Sequence, residues 1–156
     1  MNKPARNALA LGGFAALALS AAMPATALAA SMSNDMTGAK PMIAVSNQMD
    51  HGKTVTIAEV ETPRNGFIVI HASKDGKPVV PQHLGYAPVK AGVDEAVKVK
   101  LNVTPKPGTT YIAMLHEDTG VKGKFEFGPG HTDVDKPMMR NGKVVEKAFK
   151  IEKVEK

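Results

Sequence analysis

Cysteine is absent from all 156 residues, and aromatics make up only 4% of the chain. Without Cys there are no disulfides, thiol nucleophiles, redox pairs or thiolate metal sites, so the fold must be held by burial and backbone hydrogen bonding. Helical periodicity is also missing: from Met42 onward no stretch keeps it for three turns. No G-x-S-x-G, H-x-x-x-H or H-E-x-x-H occurs, which removes the commonest serine-hydrolase and zinc-peptidase signatures. The lysines are scattered along alternating segments with almost no aromatics among them, so no nucleic-acid groove is expected.

What is present begins with an export pattern. Lys3 and Arg6 give a positive start, and Ala8 to Ala22 form a nearly uncharged Ala/Leu/Phe run. Met23-Pro24 ends the run, and Ala27-Leu28-Ala29 supplies the small residues that a signal peptidase needs, placing cleavage after Ala29 or Ala30. Gly12, Gly13, Ser20 and Pro24 interrupt the apolar stretch, which falls short of the roughly 20 residues that span a bilayer. A cleaved signal peptide over 1–29 is therefore expected, with no transmembrane segment left after cleavage. No Cys at the cleavage region allows a lipid anchor, and the isolated Arg6 gives no twin-arginine signal. Cleavage removes Lys3 and Arg6 from the 20 basic residues and none of the 15 acids, leaving 18 against 15 and a net charge of +3. The expected location is the periplasm or the extracellular medium.

Residues 30–41 are small and polar and read as a flexible leader. The remainder, 42–156, reads as one domain, since about 127 mature residues suffice for a single core. Seven β-rich runs are expected: Met42–Ser46, Thr54–Thr62, Phe67–Ser73, Pro78–Tyr86, Glu95–Val103, Thr109–Glu117 and Lys143–Lys153. Turn signals separate them at roughly 10-residue spacing, as in a sandwich or barrel. Val97, Val99, Leu101 and Val103 alternate with Lys98, Lys100 and Asn102, and Val145, Phe149 and Ile151 with Glu146, Lys150 and Glu152, which marks half-exposed strands. Phe67–Ile70 and Tyr111–Leu115 are apolar on both faces. These are expected to be central strands whose outer face is covered by the long loop that follows, or else a partner surface. Pro107-Gly108 leading to Tyr111 at the start of the sixth run is the pattern of a tyrosine corner, in which the hydroxyl bonds back to the preceding crossover. An all-β, immunoglobulin-like Greek-key sandwich of about seven strands follows.

In that topology the third and sixth runs are antiparallel neighbours, which sends His71 toward the pole of the His51 turn and His116 toward the opposite one. From His116's pole runs the longest connection, Asp118 to Asn141. Long loops on rigid scaffolds are where binding concentrates. It holds Asp118, Glu126, His131, Asp133 and Asp135, with Phe125, Phe127 and Pro129 as anchors. Imidazoles with carboxylates bind zinc or copper, and carboxylates with carbonyls bind calcium. If a metal is held, His116, Asp118 and His131 are the candidate ligands; His51, His71 and His83 share no ligand spacing. The alternative is structural: Asp118-Thr119-Gly120 forms an ordinary Asx-type turn, and Asp133 and Asp135 bond loop amides. Met32, Met36, Met42, Met49, Met138 and Met139 suggest a copper carrier, but core or tail use explains them better. Glu117 and Asp118 are adjacent and would face opposite ways on a strand, so no shared acid–base pair is formed. With no catalytic set, no enzyme is expected.

The order Gly66–His71, Val97–Leu101, Tyr111–Gly120, Phe125-Glu126-Phe127 and Asp135-Lys136-Pro137 resembles an uncharacterised family of exported bacterial and archaeal β-sandwich domains, a domain of unknown function. The likeness covers about residues 42–151. Its most specific element is the A-M-L-H-x-D-T-G segment with the following F-E-F and D-x-P. The resemblance implies a secreted sandwich that stands alone or is appended to envelope proteins, and it brings no ligand or catalytic residue. The expectation is thus a non-enzymatic envelope or secreted binding module of unknown ligand and without a cofactor. Its alternative is a periplasmic protein that binds a divalent metal or copper through the 118–141 loop.

Overall fold

Alternating apolar residues between turn formers produce strands and nothing else here. The computed structural model describes residues 38–153, all β with no helix among them. The expected signal peptide, residues 30–37 of the leader, and with them Met32 and Met36, lie outside the described residues.

The strands are β1 (Met42–Ala44), β2 (Gln48–Met49), β3 (Thr54–Thr62), β4 (Gly66–Lys74), β5 (Lys77–Pro78), β6 (Gly85–Val89), β7 (Gly92–Lys100), β8 (Thr110–Glu117), β9 (Met139–Arg140), β10 (Lys143–Val144) and β11 (Glu146–Glu152). One sheet runs β1-β3-β7. The other runs β2-β11-β8-β4, with both β5 and β6 paired to β4. β9 and β10 make a separate hairpin around Asn141-Gly142. β4 lies antiparallel to β8, as the immunoglobulin-like reading requires, and β2 adds to β11 in parallel.

Three expected runs are redrawn. Pro78–Tyr86 is not one strand, because Pro78 and Pro81 have no N–H to give a ladder. It splits into β5 and a β6 that begins at Gly85, and the connection between them carries His83. The Glu95–Val103 run begins three residues earlier, at Gly92, and Val103 is exposed. The last run divides at Val145 into β10 and β11.

The core lies between the sheets. Ile43, Val55, Ile57, Val60 and Val99 from the smaller sheet, with Leu101 just after β7, meet Ile68, Ile70, Tyr111, Ala113, Leu115, Phe149 and Ile151 from the larger. At roughly 1.5–3 kcal/mol for each fully buried large apolar side chain, this contact supplies most of what holds a chain without disulfides. Val145, Phe149 and Ile151 point inward, while Glu146, Lys150 and Glu152 are exposed. Where β4 begins beside the end of β8, a Cβ on Gly66 would collide with the His116 carbonyl oxygen.

The crossover into β8 is closed by Tyr111, whose hydroxyl accepts the Lys106 amide at 2.9 Å, the bond expected of a tyrosine corner. Tyr111→Phe keeps the ring and loses this bond. The expected cost is about 1 kcal/mol, a fall of about 5 °C in Tm, readable in a thermal melt of the two proteins.

Candidate functional site

Alternation on β4 and β8 turns Phe67, Val69 and His71, together with Ile112, Met114 and His116, away from the core onto the outer face of the larger sheet. The register pairs Phe67 with His116, Val69 with Met114 and His71 with Ile112. Six large side chains in one patch need a cover. The loop after β8 provides it: Phe125 and Phe127 are buried with Phe67 and Val69 in a second cluster. Ring centroids lie 5.2 Å apart for Phe67–Phe125 and 4.8 Å for His116–Phe127. The remainder of the cover is His83 and Tyr86, both packed against Phe125. Loop covering therefore accounts for the two strands that are apolar on both sides.

Asp135 holds the loop in place. It is completely buried, with a positive φ of 44°, a conformation that Asp tolerates better than most residues. Its Oδ1 accepts the Thr119 amide at 2.8 Å and the Gly120 amide at 3.2 Å, and its Oδ2 accepts the Glu126 amide at 2.8 Å. The Thr119 hydroxyl in turn accepts the Asp135 amide at 2.8 Å. Burial by itself would raise the carboxyl pKa, but the bonds from Thr119, Glu126 and Gly120 outweigh it and hold the group below the usual carboxylate range. The D-T-G, F-E-F and D-x-P segments are thus parts of one hydrogen-bonded unit. Asp118 bonds the Gly123 amide at 2.9 Å, so its turn is wider than the expected Asp118-Thr119-Gly120 turn. On its return the chain runs beside β8, with Glu117 N–H on Lys136 O and Met138 N–H on Leu115 O.

Beneath this cover sit two buried imidazoles. His116 Nδ1 bonds the Asp135 carbonyl at 2.6 Å, and His71 Nδ1 bonds the Gln82 carbonyl at 2.7 Å. A carbonyl only accepts, so in each ring Nδ1 carries the proton. The Nε2 atoms of both rings, and Nδ1 of His83, are buried without a partner. Desolvation pushes the His116 pKa down to about 4, against opposing contributions from the Asp135 carbonyl and charge. Burial lowers His71 as well, opposed by the Gln82 and Val79 carbonyls, and burial lowers His83. All three rings are held neutral.

His71 and His116 do not separate to opposite poles. His71 lies in the middle of a strand that continues to Lys74, and its ring lies beside that of His116, with centroids 5.8 Å apart and planes 28° apart. Four ladder positions span about 13 Å, so both rings lean toward each other over the Val69–Met114 pair.

The expected ligand set of His116, Asp118 and His131 is not brought together. His116 is enclosed among phenylalanines, Asp118 is engaged at the end of β8, and His131 is exposed in a tight turn bridging Gly128. Among the described residues no three His, Asp or Glu side chains converge to hold a metal ion. His131 and Asp133 instead line an open cleft of about 500 Å³ with Lys124, Phe125, Glu126 and Val134. His51 is exposed in the turn before β3. The grouping of His71, His83 and Met114 with His116 was not read from sequence. The signal for it is parity: once β4 and β8 are in register, odd residues of one and even residues of the other share a face.

Comparison with known proteins gives 31% identity over 105 residues to Cell surface glycoprotein 1 of Haloarcula hispanica. The match takes in 66% of this chain and 10% of the relative, so the chain spans about a tenth of that protein's length. No solved structure matches. The family model described as Domain of unknown function (DUF7282) matches residues 41–152, over the sandwich, the Asp135-centred loop and the covered histidines alike, and the chain belongs to that family.

Proposed function

We propose that this protein is an exported, non-enzymatic binding module of the cell envelope or exterior, with the 118–141 loop as its contact surface. One observation carries the reading. The loop is tied internally by a buried carboxylate, yet it presents Lys124, Glu126, His131 and Asp133 around an open cleft. A fixed platform with mixed charge at its rim binds without the entropy cost of ordering a flexible segment. Support for export comes from the basic start and small-residue site at 1–30, and from the relative's name, a cell surface glycoprotein.

Two arms test this. The full chain, tagged at its C-terminus and expressed in a bacterial host, should leave the cytoplasm and begin at Ala30 or Ser31 by intact mass. A cytoplasmic protein that keeps Met1 would contradict export. The mature protein should also be retained by envelope preparations, and the His131→Ala/Asp133→Ala double variant should lose most of that retention. Equal retention of the two proteins, or none of either, would remove the loop as the contact surface.

A further inference from the structure

The covered histidines pose a question that the contact-surface reading leaves untouched. Buried polar atoms without partners are rare, yet His71 Nε2 and His116 Nε2 lie unpartnered beneath the aromatic cover, and His83 Nδ1 is buried and unpartnered within it. In His71 and His116 the proton sits on Nδ1, donated to a backbone carbonyl, so each Nε2 presents a bare lone pair. That is the arrangement in which metal-bound histidines are held, the carbonyl fixing both tautomer and ring direction.

The spacing suits one shared ion. Two Nε2 atoms at about 2.0–2.1 Å from a metal place their ring centroids about 5–6.5 Å apart, and the observed separation is 5.8 Å. A third donor of a different kind occupies the ladder position between them. Met114 is buried, pairs with Val69 across the ladder, and shares the outer face with both histidines. Phe125 and Phe127 pack against His116, and Phe67 packs against Phe125. His83, half-buried, packs against the exposed Tyr86 and against Phe125.

We propose that His71, His116 and Met114 form a binding site for a single copper(I) ion. Two neutral imidazoles and a thioether in a dry aromatic pocket are soft and uncharged, which suits a monovalent soft cation. A divalent ion would suffer a much larger desolvation cost there, with no carboxylate or thiolate converging to neutralise it. His71 comes from β4 and His116 and Met114 from β8, so the ion would join the two central strands beneath the loop.

The test is an anaerobic titration of the mature protein with copper(I) in competition with a chromophoric copper(I) chelator, and with zinc(II) in parallel. One copper(I) per chain is expected. Met114→Leu conserves volume, so its thermal midpoint without metal should stay within a few degrees while its copper(I) affinity falls at least tenfold. His71→Gln should lose binding altogether. X-ray absorption of the loaded protein should show nitrogen and sulfur together in the first coordination sphere, and adding copper(I) to ¹⁵N-histidine-labelled protein should shift the Nε2 resonances of His71 and His116. No saturable copper(I) binding by the folded protein would overturn the site. So would unchanged affinity in Met114→Leu and His71→Gln, or zinc(II) bound in preference.

Discussion

Asp135→Ala should unfold the loop and cost the domain on the order of 3–6 kcal/mol. The variant leaves the amides of Thr119, Gly120 and Glu126 without their acceptor, and a hydrogen bond to a charged group contributes about 1.5–3 kcal/mol. Alanine is also poorly suited to the positive φ at this position. A loss of that size is a large part of the 5–15 kcal/mol that holds a typical domain. Asp135→Asn separates the causes. Asparagine tolerates the backbone and keeps one oxygen for Thr119 and Gly120, but turns its NH₂ toward the Glu126 amide. Its stability should fall between wild type and Asp135→Ala. Urea unfolding of the three proteins checks the order, and two variants within 0.5 kcal/mol of wild type would show that the carboxylate does not hold the loop.

Acidification should be the second large effect, with the domain losing about 3 kcal/mol between pH 6.5 and pH 4. The unfolded chain takes up a proton on His116 near 6.5, whereas the folded chain resists until about 4. Over that interval the unfolded state binds more protons, so stability is complete above 6.5 and declines as the pH falls toward 4. At about 1.4 kcal/mol per pH unit the difference comes to about 3 kcal/mol. His71 and His83 are lowered in the same direction and add to the loss. Asp135 acts below this range: its carboxyl is also held low, so its contribution persists above the ordinary carboxylate value and is lost as the pH falls through its folded-state one. Urea midpoints measured from pH 7 to pH 4 should fall throughout, and midpoints that stay flat between pH 7 and pH 5 would contradict the buried neutral histidines.

Much of the sandwich is legible in short-range patterns. Val145, Phe149 and Ile151 alternate with charged residues and lie buried, the last two on β11, and Tyr111 makes its corner bond because a Pro-Gly turn and the next apolar run determine where its hydroxyl reaches. Covering of Phe67–Ile70 and Tyr111–Leu115 by the loop is also readable, since two apolar faces demand two partners. The Pro78–Tyr86 run misleads because its apolar content suggests a ladder that Pro78 and Pro81 cannot complete.

The site is harder to read for a physical reason. Its groups meet through β4–β8 register, a pairing between residues about 45 positions apart in the chain, and then through ring directions that depend on the Gln82 and Asp135 carbonyls. His71 in isolation is one imidazole in an apolar run. Asp135 looks like any loop acid until Thr119, Gly120 and Glu126 are seen to aim their amides at it. The metal set of His116, Asp118 and His131 rests on nearness in the loop, whereas His116 belongs to the strand face and His131 to the solvent side.

The pinned loop is the feature on which both the contact surface and the covered histidines depend, and native-state hydrogen exchange tests it most directly. The amides of Thr119, Gly120 and Glu126 should exchange as slowly as those of Ile68 and Leu115, opening only with the whole domain. Exchange of these three amides at the rate of an exposed loop, while the β4 and β8 amides remain protected, would contradict it.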